Sequence, residues 1–312
     1  MKISTLFSVY EPAEDSYLLI NALRKAGEVR GLSFCDIGCG TGTVGLHAAA
    51  MGAKVTLVDI TPDAVALTKK NAQQNTLSVS VVQSDLFTNV KGIFDVIVCN
   101  PPYLPAQKGE PADSITTSLV GGKHGYEWTV RFLEQAKEHL YPKGVVLFLV
   151  SSLSKPQVLE THMTACGFSH VIVGQQNMGG FETLYVYMCQ FLEGIKDART
   201  QGCTDLSLHG IGKRGLVFKG QLKKKTVAVK IKRESSAVNT LVHEADMLQL
   251  VNAKHIGPRY VVHTQQCLIM EFIDGRSLKK VFSGLSTQKK NAIVKQLLTQ
   301  SAQLDELRIS KA

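Results

Sequence analysis

Apolar positions between Leu32 and Gln190 follow two alternating patterns. Short runs rich in β-branched residues predict strands, and the longer stretches between them have the spacing of amphipathic helices. The predicted strands are Leu32–Ile37, Lys54–Val58, Val79–Gln83, Phe94–Cys99, Gly144–Val150, His170–Val173 and Leu184–Met188. The predicted helices include Pro62–Gln74, Tyr126–Leu140 and Lys155–Cys166. This alternation is typical of a doubly wound, mostly parallel α/β sheet with helices on both faces.

The two ends of this region depart from the alternation. The last two predicted strands are joined by a short loop that contains Gly179 and Gly180. Such a loop indicates a hairpin, and therefore an antiparallel strand at or near the sheet edge. Residues 10–30 have a helical pattern and are predicted to form a helix that lies over the top of the sheet.

The pattern changes after Gln190, and so does the charge. Residues 1–190 carry 14 basic and 16 acidic side chains, whereas residues 191–312 carry 21 and 10, which accounts for the net charge of +9. After a polar stretch come two strands that flank a glycine loop and a lysine run, then a helix, two short strands and a final helix. We therefore predict a domain at 1–190, a linker at 191–204 and a smaller α+β domain at 205–312.

Composition excludes several classes of protein. With 44% hydrophobic and 20% charged residues, the chain has a globular and not a disordered composition. Its seven cysteines include no C-x-x-C pair and form no ligand pattern with the nine histidines, so no metal site is predicted. The cysteine usage favours a reducing compartment, and no signal peptide or membrane-spanning segment is predicted. The expected location is the cytoplasm, without a membrane partner.

A glycine-rich turn follows the first predicted strand. Directly after Asp36, this turn contains Gly38, Cys39, Gly40 and Gly42. Because glycine has no Cβ, the backbone amides of such a turn can approach a ligand closely. The turn alone is also compatible with a nicotinamide dinucleotide. A carboxylate at its start, however, suits the cationic amino group of S-adenosylmethionine better than an anionic pyrophosphate.

Acidic residues also end the next two predicted strands. Asp59 lies about 20 residues after the glycine turn, the spacing at which a carboxylate binds ribose hydroxyls. Asp85 is placed to accept a hydrogen bond from the adenine amino group, with Leu86 against the ring. Each of these residues alone could be a turn or cap residue. In series with Asp36, they predict S-adenosylmethionine as the cofactor.

The fourth predicted strand runs into Asn100-Pro101-Pro102-Tyr103. Two prolines cannot continue a ladder, so they predict a rigid turn at the edge where open α/β sheets bind ligands. The Asn100 side-chain oxygen and the Pro101 carbonyl are two acceptors that can hold both hydrogens of an NH₂ group, and Tyr103 can stack on the planar group that carries it. The predicted reaction is methyl transfer to an amide- or adenine-type nitrogen.

These segments, with Val9–Ser16 and Gly121–Gly125, resemble the HemK/PrmC-related protein glutamine methyltransferases of the short archaeal and eukaryotic type. The resemblance spans residues 8–190 and implies a Rossmann-like class I methyltransferase. It also implies N5-methylation of the glutamine in the Gly-Gly-Gln motif of a class I translation release factor, and a small zinc-binding activator protein as partner. It places Pro12, Glu14 and Asp15 at the cofactor lid and the substrate mouth.

Two alternatives to this function stay open. The same four-residue turn serves N6-adenine methylation of DNA or RNA, and the basic second half could bind nucleic acid. Against this, residues 1–190 are net acidic and contain no segment resembling a domain that flips a base. The residues alone do not distinguish a glutamine, a lysine or an adenine as the acceptor. The second alternative is a non-enzymatic, nucleotide-sensing adaptor, which a failure to bind S-adenosylmethionine would favour.

The second domain contains further nucleotide-binding signals. Gly210, Gly212 and Gly215 form a G-x-G-x-x-G-x-V loop, Lys230 lies on a later strand and Glu244 on the following helix. This pattern resembles the N-lobe of RIO-type and archaeal kinases, which implies that ATP binds there, with Lys230 at its phosphates and Glu244 orienting Lys230. No H-x-D loop and no D-F-G follow, so we predict a nucleotide-binding remnant or a truncated kinase without phosphotransfer activity.

Overall fold

The structure is a computed structural model that describes residues 1–106, 119–212, 215–232, 240–276 and 278–307. The chain divides into two compact units, Met1–Leu192 and Glu193–Ala312. In the first unit the described helices are α1 (Glu14–Ala26), α2 (Thr43–Ala50), α3 (Pro62–Gln74), α4 (Glu127–Ala136) and α5 (Pro156–Ala165). The described strands are β1 (Ser33–Ile37), β2 (Lys54–Asp59), β3 (Ser80–Gln83), β4 (Phe94–Cys99), β5 (Leu104–Pro105), β6 (Val120–Gly122), β7 (Leu140–Ser151), β8 (Phe168–Gly179) and β9 (Glu182–Phe191).

The main sheet of the first unit has the strand order β3-β2-β1-β4-β7-β9-β8 within the described residues. Neighbouring strands from β3 to β7 are parallel, whereas β9 runs antiparallel to both β7 and β8. The predicted Rossmann-like α/β fold is confirmed, and so is the hairpin that brings an antiparallel strand to the edge. Because the parallel strands reverse order around β1 and β4, their carboxyl ends open a crevice there.

Several predicted boundaries in the first unit are wrong. The predicted helix Tyr126–Leu140 ends at Ala136, and Leu140 already belongs to β7. Leu140 is buried and pairs with Phe94 of β4, and Pro142 disfavours a helix through this segment. The strands β8 and β9 extend beyond the predicted runs because a hairpin can continue to pair where its residues are polar.

Helix α1 lies against one face of the sheet and not over its top. Leu19, Ile20 and Leu23 are buried on the same side of the helix, at the spacing of one helical face. They belong to one apolar core with Val98 of β4 and Leu149 of β7. Burial of this face fixes the position of the first turn of α1, which carries Asp15.

The second unit is built on a five-stranded antiparallel sheet with the order β10-β11-β12-β14-β13 in the described residues. Its strands are β10 (Thr204–Ile211), β11 (Gly215–Leu222), β12 (Lys225–Lys232), β13 (Tyr260–His263) and β14 (Cys267–Glu271). Its helices are α6 (Glu193–Thr200), α7 (Leu241–Asn252), α8 (Leu278–Val281) and α9 (Thr287–Glu306). The predicted smaller second domain is therefore an antiparallel sheet domain.

The linker predicted at 191–204 is wrong for most of its length, because α6 occupies Glu193–Thr200. Ile195 and Ala198 are buried and bring α6 against β12 and β14. Gly194 allows this close approach, since a Cβ at its position would lie 2.5 Å from the Gln266 carbonyl oxygen. The polar composition of α6 resembles a linker only when its two buried apolar side chains, Ile195 and Ala198, are overlooked.

The longest described helix is α9, with 20 residues. Lysines and glutamines are spread along it. Within the ranges that the structure describes, no helix has both the length and the apolar character needed to cross a membrane.

Candidate active site

A cavity of about 370 Å³ opens where the parallel strands of the first unit end. Most of the residues predicted to bind the cofactor or the substrate line it: Pro12, Asp15, Asp36, Gly38, Cys39, Gly40, Asp59, Asp85, Leu86, Asn100, Pro101, Pro102 and Tyr103. The residues come from the start of α1 and the segment just before it, and from the ends of β1 to β4 and the turns that follow them. These turns meet because parallel strands end at the same edge of the sheet.

Two residues predicted at the cofactor site lie outside this lining. Glu14 is exposed in the first turn of α1, where an acidic side chain stabilises the helix terminus. Gly42 precedes α2 with a φ of 80°, and a Cβ there would lie 3.0 Å from Thr68. Glycine at this position allows the turn to close onto α3.

The carboxylate of Asp36 stabilises the turn between β1 and α2. Its Oδ2 atom accepts a hydrogen bond of 2.9 Å from the backbone amide of Gly45. The pKa of Asp36 is raised to about 7, mainly by burial; the hydrogen bond from the Gly45 amide lowers it and the nearby carboxylate of Asp59 raises it. A buried carboxyl group that titrates near neutral pH is stabilised in its charged form by a cationic ligand.

The other two acidic residues have different surroundings. Asp59 accepts hydrogen bonds from the backbone amides of Gly40, at 2.9 Å, and Thr61, at 3.0 Å, so it connects the glycine turn to the end of β2. Asp85 is half-exposed and forms an ion pair of 3.1 Å with Arg131 of α4. Arg131 lines the cavity because of its position in α4, and no sequence motif identifies it. It is paired with the Asp85 carboxylate, the group predicted to bind adenine.

Asn100 is held in one orientation by Asp15. The amide nitrogen of Asn100 donates a hydrogen bond of 3.0 Å to Asp15 Oδ2, which also accepts one of 2.9 Å from the Tyr10 hydroxyl. Asp15 Oδ1 accepts the backbone amide of Ser16. Because a carboxylate only accepts hydrogen bonds, it selects the NH₂ side of the Asn100 carboxamide. The Asn100 Oδ1 atom is then buried and has no hydrogen-bond partner among the described residues.

Tyr103 completes the substrate end of the cavity. Its hydroxyl lies 3.5 Å from Asp15 Oδ2. Burial raises the pKa of the Tyr103 phenol far above its usual value, and the charge of Asp15 adds to the effect. Tyr103 therefore stays protonated near neutral pH and presents a neutral ring beside Asn100.

The segment Gly121–Gly125 packs directly against the Asn-Pro-Pro-Tyr turn. Strand β6 pairs with β5 just after this turn, with Leu104 opposite Val120. A Cβ at Gly121 would collide with the Pro102 carbonyl oxygen, and one at Gly125 would collide with the Tyr103 carbonyl oxygen. The glycines therefore allow a backbone-to-backbone contact that holds the Asn-Pro-Pro-Tyr turn in its position.

The second unit brings the predicted kinase-like residues Lys230 and Glu244 together. Lys230 on β12 donates a hydrogen bond to Glu244 Oε2 on α7. The glycine loop connects β10 to β11, and the amide of Gly212 donates to the Gly215 carbonyl oxygen at 2.8 Å. Gly210, at the end of β10, has open space around its Cα atom. The loop residues 213 and 214 lie outside the described residues.

Residues 1–170 match a known protein family, described as the methyltransferase small domain. The chain belongs to this family. It is an S-adenosylmethionine-dependent methyltransferase, as predicted from sequence. The match ends within the first unit and gives no information on a kinase-like fold or ATP binding in the second.

Relatives with known names agree with this assignment. MJ0928 of Methanocaldococcus jannaschii, provisionally named a protein N5-glutamine methyltransferase, is 43% identical over 162 residues, 51% of this chain and 81% of MJ0928. The methyltransferase HEMK2 of Homo sapiens is 32% identical over 191 residues, 57% of this chain and 87% of HEMK2. The predicted relationship to protein glutamine methyltransferases is confirmed for the N-terminal domain.

One similar solved structure is Mtq2 of E. cuniculi in its complex with Trm112, which methylates the translation termination factor eRF1. It is 24% identical and covers 60% of this chain and all of Mtq2, with a TM-score of 0.49. At that identity and TM-score, the likeness says nothing about the substrate or partner of this chain.

The cavity fits S-adenosylmethionine in its chemistry. Asp36 offers a buried carboxylate for the cationic methionine end, and its pKa shows that it gains from a positive neighbour. Asp59 lies at the end of β2, where a ribose would be bound, and Leu86 is a buried apolar surface beside Asp85. These residues are the ones that would hold the cofactor.

Substitution of Gly121 by alanine is expected to impair methyl transfer more than cofactor binding. The new methyl group must displace the Pro102 carbonyl, and a shift of about 1 Å at a reacting centre can cost about 100-fold in rate. Steady-state kinetics should show that loss in kcat, while calorimetry should show nearly unchanged affinity for S-adenosylmethionine. Gly284→Ala is the control, since its methyl group meets open space. Equal kcat values for both variants would contradict the account.

Affinity for S-adenosylmethionine is expected to fall below neutral pH. The pKa of Asp36 is raised to about 7, so a proton competes with the cationic ligand below that pH. Calorimetry should show binding about tenfold weaker at pH 6 than at pH 8. In the unligated protein, the same raised pKa makes the free energy of unfolding decrease as the pH rises from about 4 to about 7.

The control for this measurement is Asp36→Asn. This variant lacks the titrating group, so it should bind weakly at both pH values and without the tenfold change. A wild-type affinity that does not vary between pH 6 and pH 8 would contradict the role of Asp36.

Proposed function

We propose that the first unit methylates the side-chain amide nitrogen of a glutamine, the one in the Gly-Gly-Gln motif of a class I translation release factor. The observation that carries this proposal is the side chain of Asn100, a residue of the cavity lining, whose buried Oδ1 atom has no hydrogen-bond partner among the described residues. A buried acceptor without a hydrogen bond is unfavourable, so we expect it to accept one from the substrate. A primary amide supplies two such donors on one planar nitrogen.

The proposed reaction depends on the position of that nitrogen. S-adenosylmethionine supplies an electrophilic methyl group. Asn100 Oδ1 and the Pro101 carbonyl hold the two amide hydrogens, so the nitrogen lone pair is directed towards the methyl group instead of being fully delocalised. The new N–C bond forms as the S–C bond breaks, and one amide proton then leaves to solvent. The products are N5-methylglutamine and S-adenosylhomocysteine.

A lysine is a poorer acceptor for this site. A lysine ammonium must lose a proton before it can attack, which requires a general base near the nitrogen. Asp15 is committed to the hydrogen bonds with Tyr10 and Asn100, and Tyr103 has a pKa raised by burial, so it does not act as a base near neutral pH. An amide needs no base before the transfer.

An adenine amino group presents the same planar NH₂ as a glutamine amide, so the choice between them rests on other observations. The relatives with matching sequences include release factor glutamine methyltransferases, for example that of Deinococcus radiodurans, 32% identical over 159 residues, 49% of this chain and 57% of that enzyme. Residues 1–190 also carry more acidic than basic side chains, which disfavours phosphate binding. The resemblance further supports a small zinc-binding activator protein as partner.

The proposal predicts label transfer from S-adenosylmethionine to a release factor that carries Gly-Gly-Gln. The assay uses the full chain with and without the activator, and offers the factor, the same factor with the glutamine changed to alanine, and DNA. Asn100→Ala should lower kcat on the factor by about 100-fold or more, because the amide loses an aligned acceptor. Label on DNA and on neither protein would contradict the proposal and favour adenine methylation.

For the second unit we propose a nucleotide-binding role. The observation that favours it is the contact between Lys230 and Glu244, together with a glycine loop between the first two strands of the sheet.

Calorimetry with ATP and magnesium tests this role. We expect Lys230→Met to weaken ATP binding by about tenfold or more, because the lysine is the predicted phosphate contact. Lys224→Met is the control, since Lys224 is exposed in the turn between β11 and β12. Equal affinities for the two variants, or no ATP binding by the wild type, would contradict the proposal.

A further inference from the structure

The turn between β8 and β9 presents a fully exposed phenylalanine. Gly179 and Gly180 have φ values of 87° and 59°, the left-handed region that glycine adopts without strain, and Asn177 Oδ1 accepts the Gly179 amide at 2.8 Å. Phe181, directly after them, is 100% exposed. The local hydrogen bonds define the shape of this turn, although its aromatic side chain contributes nothing to the core.

This turn is connected to the substrate end of the active site. The Ser152 hydroxyl donates to the Phe181 carbonyl oxygen at 3.4 Å, and the Ser151 hydroxyl donates to Glu182 at 2.6 Å. Ser154, three residues after Ser151, donates to the Tyr103 carbonyl oxygen at 2.5 Å. The end of β7 and the residues directly after it therefore connect the exposed turn to the Asn-Pro-Pro-Tyr turn through side-chain hydrogen bonds.

Other apolar side chains share this region. Leu153 lies between Ser152 and Ser154 and is 45% exposed, and Met178 precedes Gly179 and is 38% exposed. Single exposed apolar residues are common on protein surfaces, whereas three near one turn that is connected to Tyr103 by hydrogen bonds are consistent with a contact surface. Aromatic residues such as Phe181 contribute much of the binding energy where protein surfaces meet.

The charge near this surface selects the kind of partner. Glu182 follows Phe181 directly, and its carboxylate is held at the end of β7 by Ser151. The charge of Glu182 acts on Tyr103. An acidic group in this place repels nucleic-acid phosphates, whereas a polypeptide can contact both the apolar side chains and the carboxylate. The surface therefore suits a folded protein and not a nucleic acid.

We propose that Phe181, Met178 and Leu153 form the docking surface for the protein that carries the target glutamine. This inference rests on the proposed function, because it names the surface by which that protein substrate is held. The docking surface contacts the substrate outside the reacting amide. It therefore contributes to binding of the intact protein and leaves the transfer step unchanged.

Steady-state kinetics on the intact release factor, with the full chain and its activator, test the proposal. We expect Phe181→Ala to raise the KM for the factor by about tenfold, with kcat and the affinity for S-adenosylmethionine unchanged. Phe181→Trp should keep a KM close to that of the wild type. The matched control is Tyr141→Ala, at a residue that is 43% exposed at the opposite end of β7, about 30 Å from Ser151.

Each outcome has a distinct meaning. A KM for Phe181→Ala equal to that of the wild type and of Tyr141→Ala would overturn the docking surface and leave the proposed function intact. The same holds if Phe181→Ala lowers kcat and leaves KM unchanged. A wild-type protein that does not methylate the factor at all would overturn the proposed function, and the docking surface with it.

Discussion

The hydrogen bond from Asn100 to Asp15 determines what the active site can do. Asn100 stands at the end of a central parallel strand, and Asp15 stands in the first turn of α1, 85 residues earlier in the chain. Their contact fixes the carboxamide so that its oxygen is the acceptor still without a partner among the described residues, in a side chain that lines the cavity. If the carboxamide were reversed, the site would present a donor and would repel the NH₂ group of the substrate.

The rest of the first unit holds these two residues at that distance. The buried face of α1, with Leu19 and Leu23, packs on the sheet and so places Asp15. The parallel strands place Asn100 beside Asp36, because both residues lie at strand ends at one edge of the sheet. Because Gly121 has no Cβ, the segment Gly121–Gly125 can pack against the turn after Asn100. The cost of burying Asp36 is offset when the cavity receives a cation.

Sequence predicts the residues at strand ends well, since a polar residue after an apolar strand must lie at the sheet edge. Asp36 and Asn100 could be placed in this way. The contact of Asp85 with Arg131 could not, because it depends on where α4 packs. The helix around Ile195 was also hidden, because two buried positions in a polar segment carry too weak a pattern to predict a helix. The orientation of the Asn100 carboxamide could not be predicted either, because it depends on the contact with Asp15, which is distant in sequence.

The most direct test is a crystal structure of the full chain with S-adenosylhomocysteine and a Gly-Gly-Gln peptide. We expect the glutamine nitrogen to lie about 3 Å from both Asn100 Oδ1 and the Pro101 carbonyl oxygen, with Asn100 still donating to Asp15. A peptide bound with its glutamine outside the cavity, or an Asn100 side chain rotated so that its NH₂ group faces the glutamine, would contradict it.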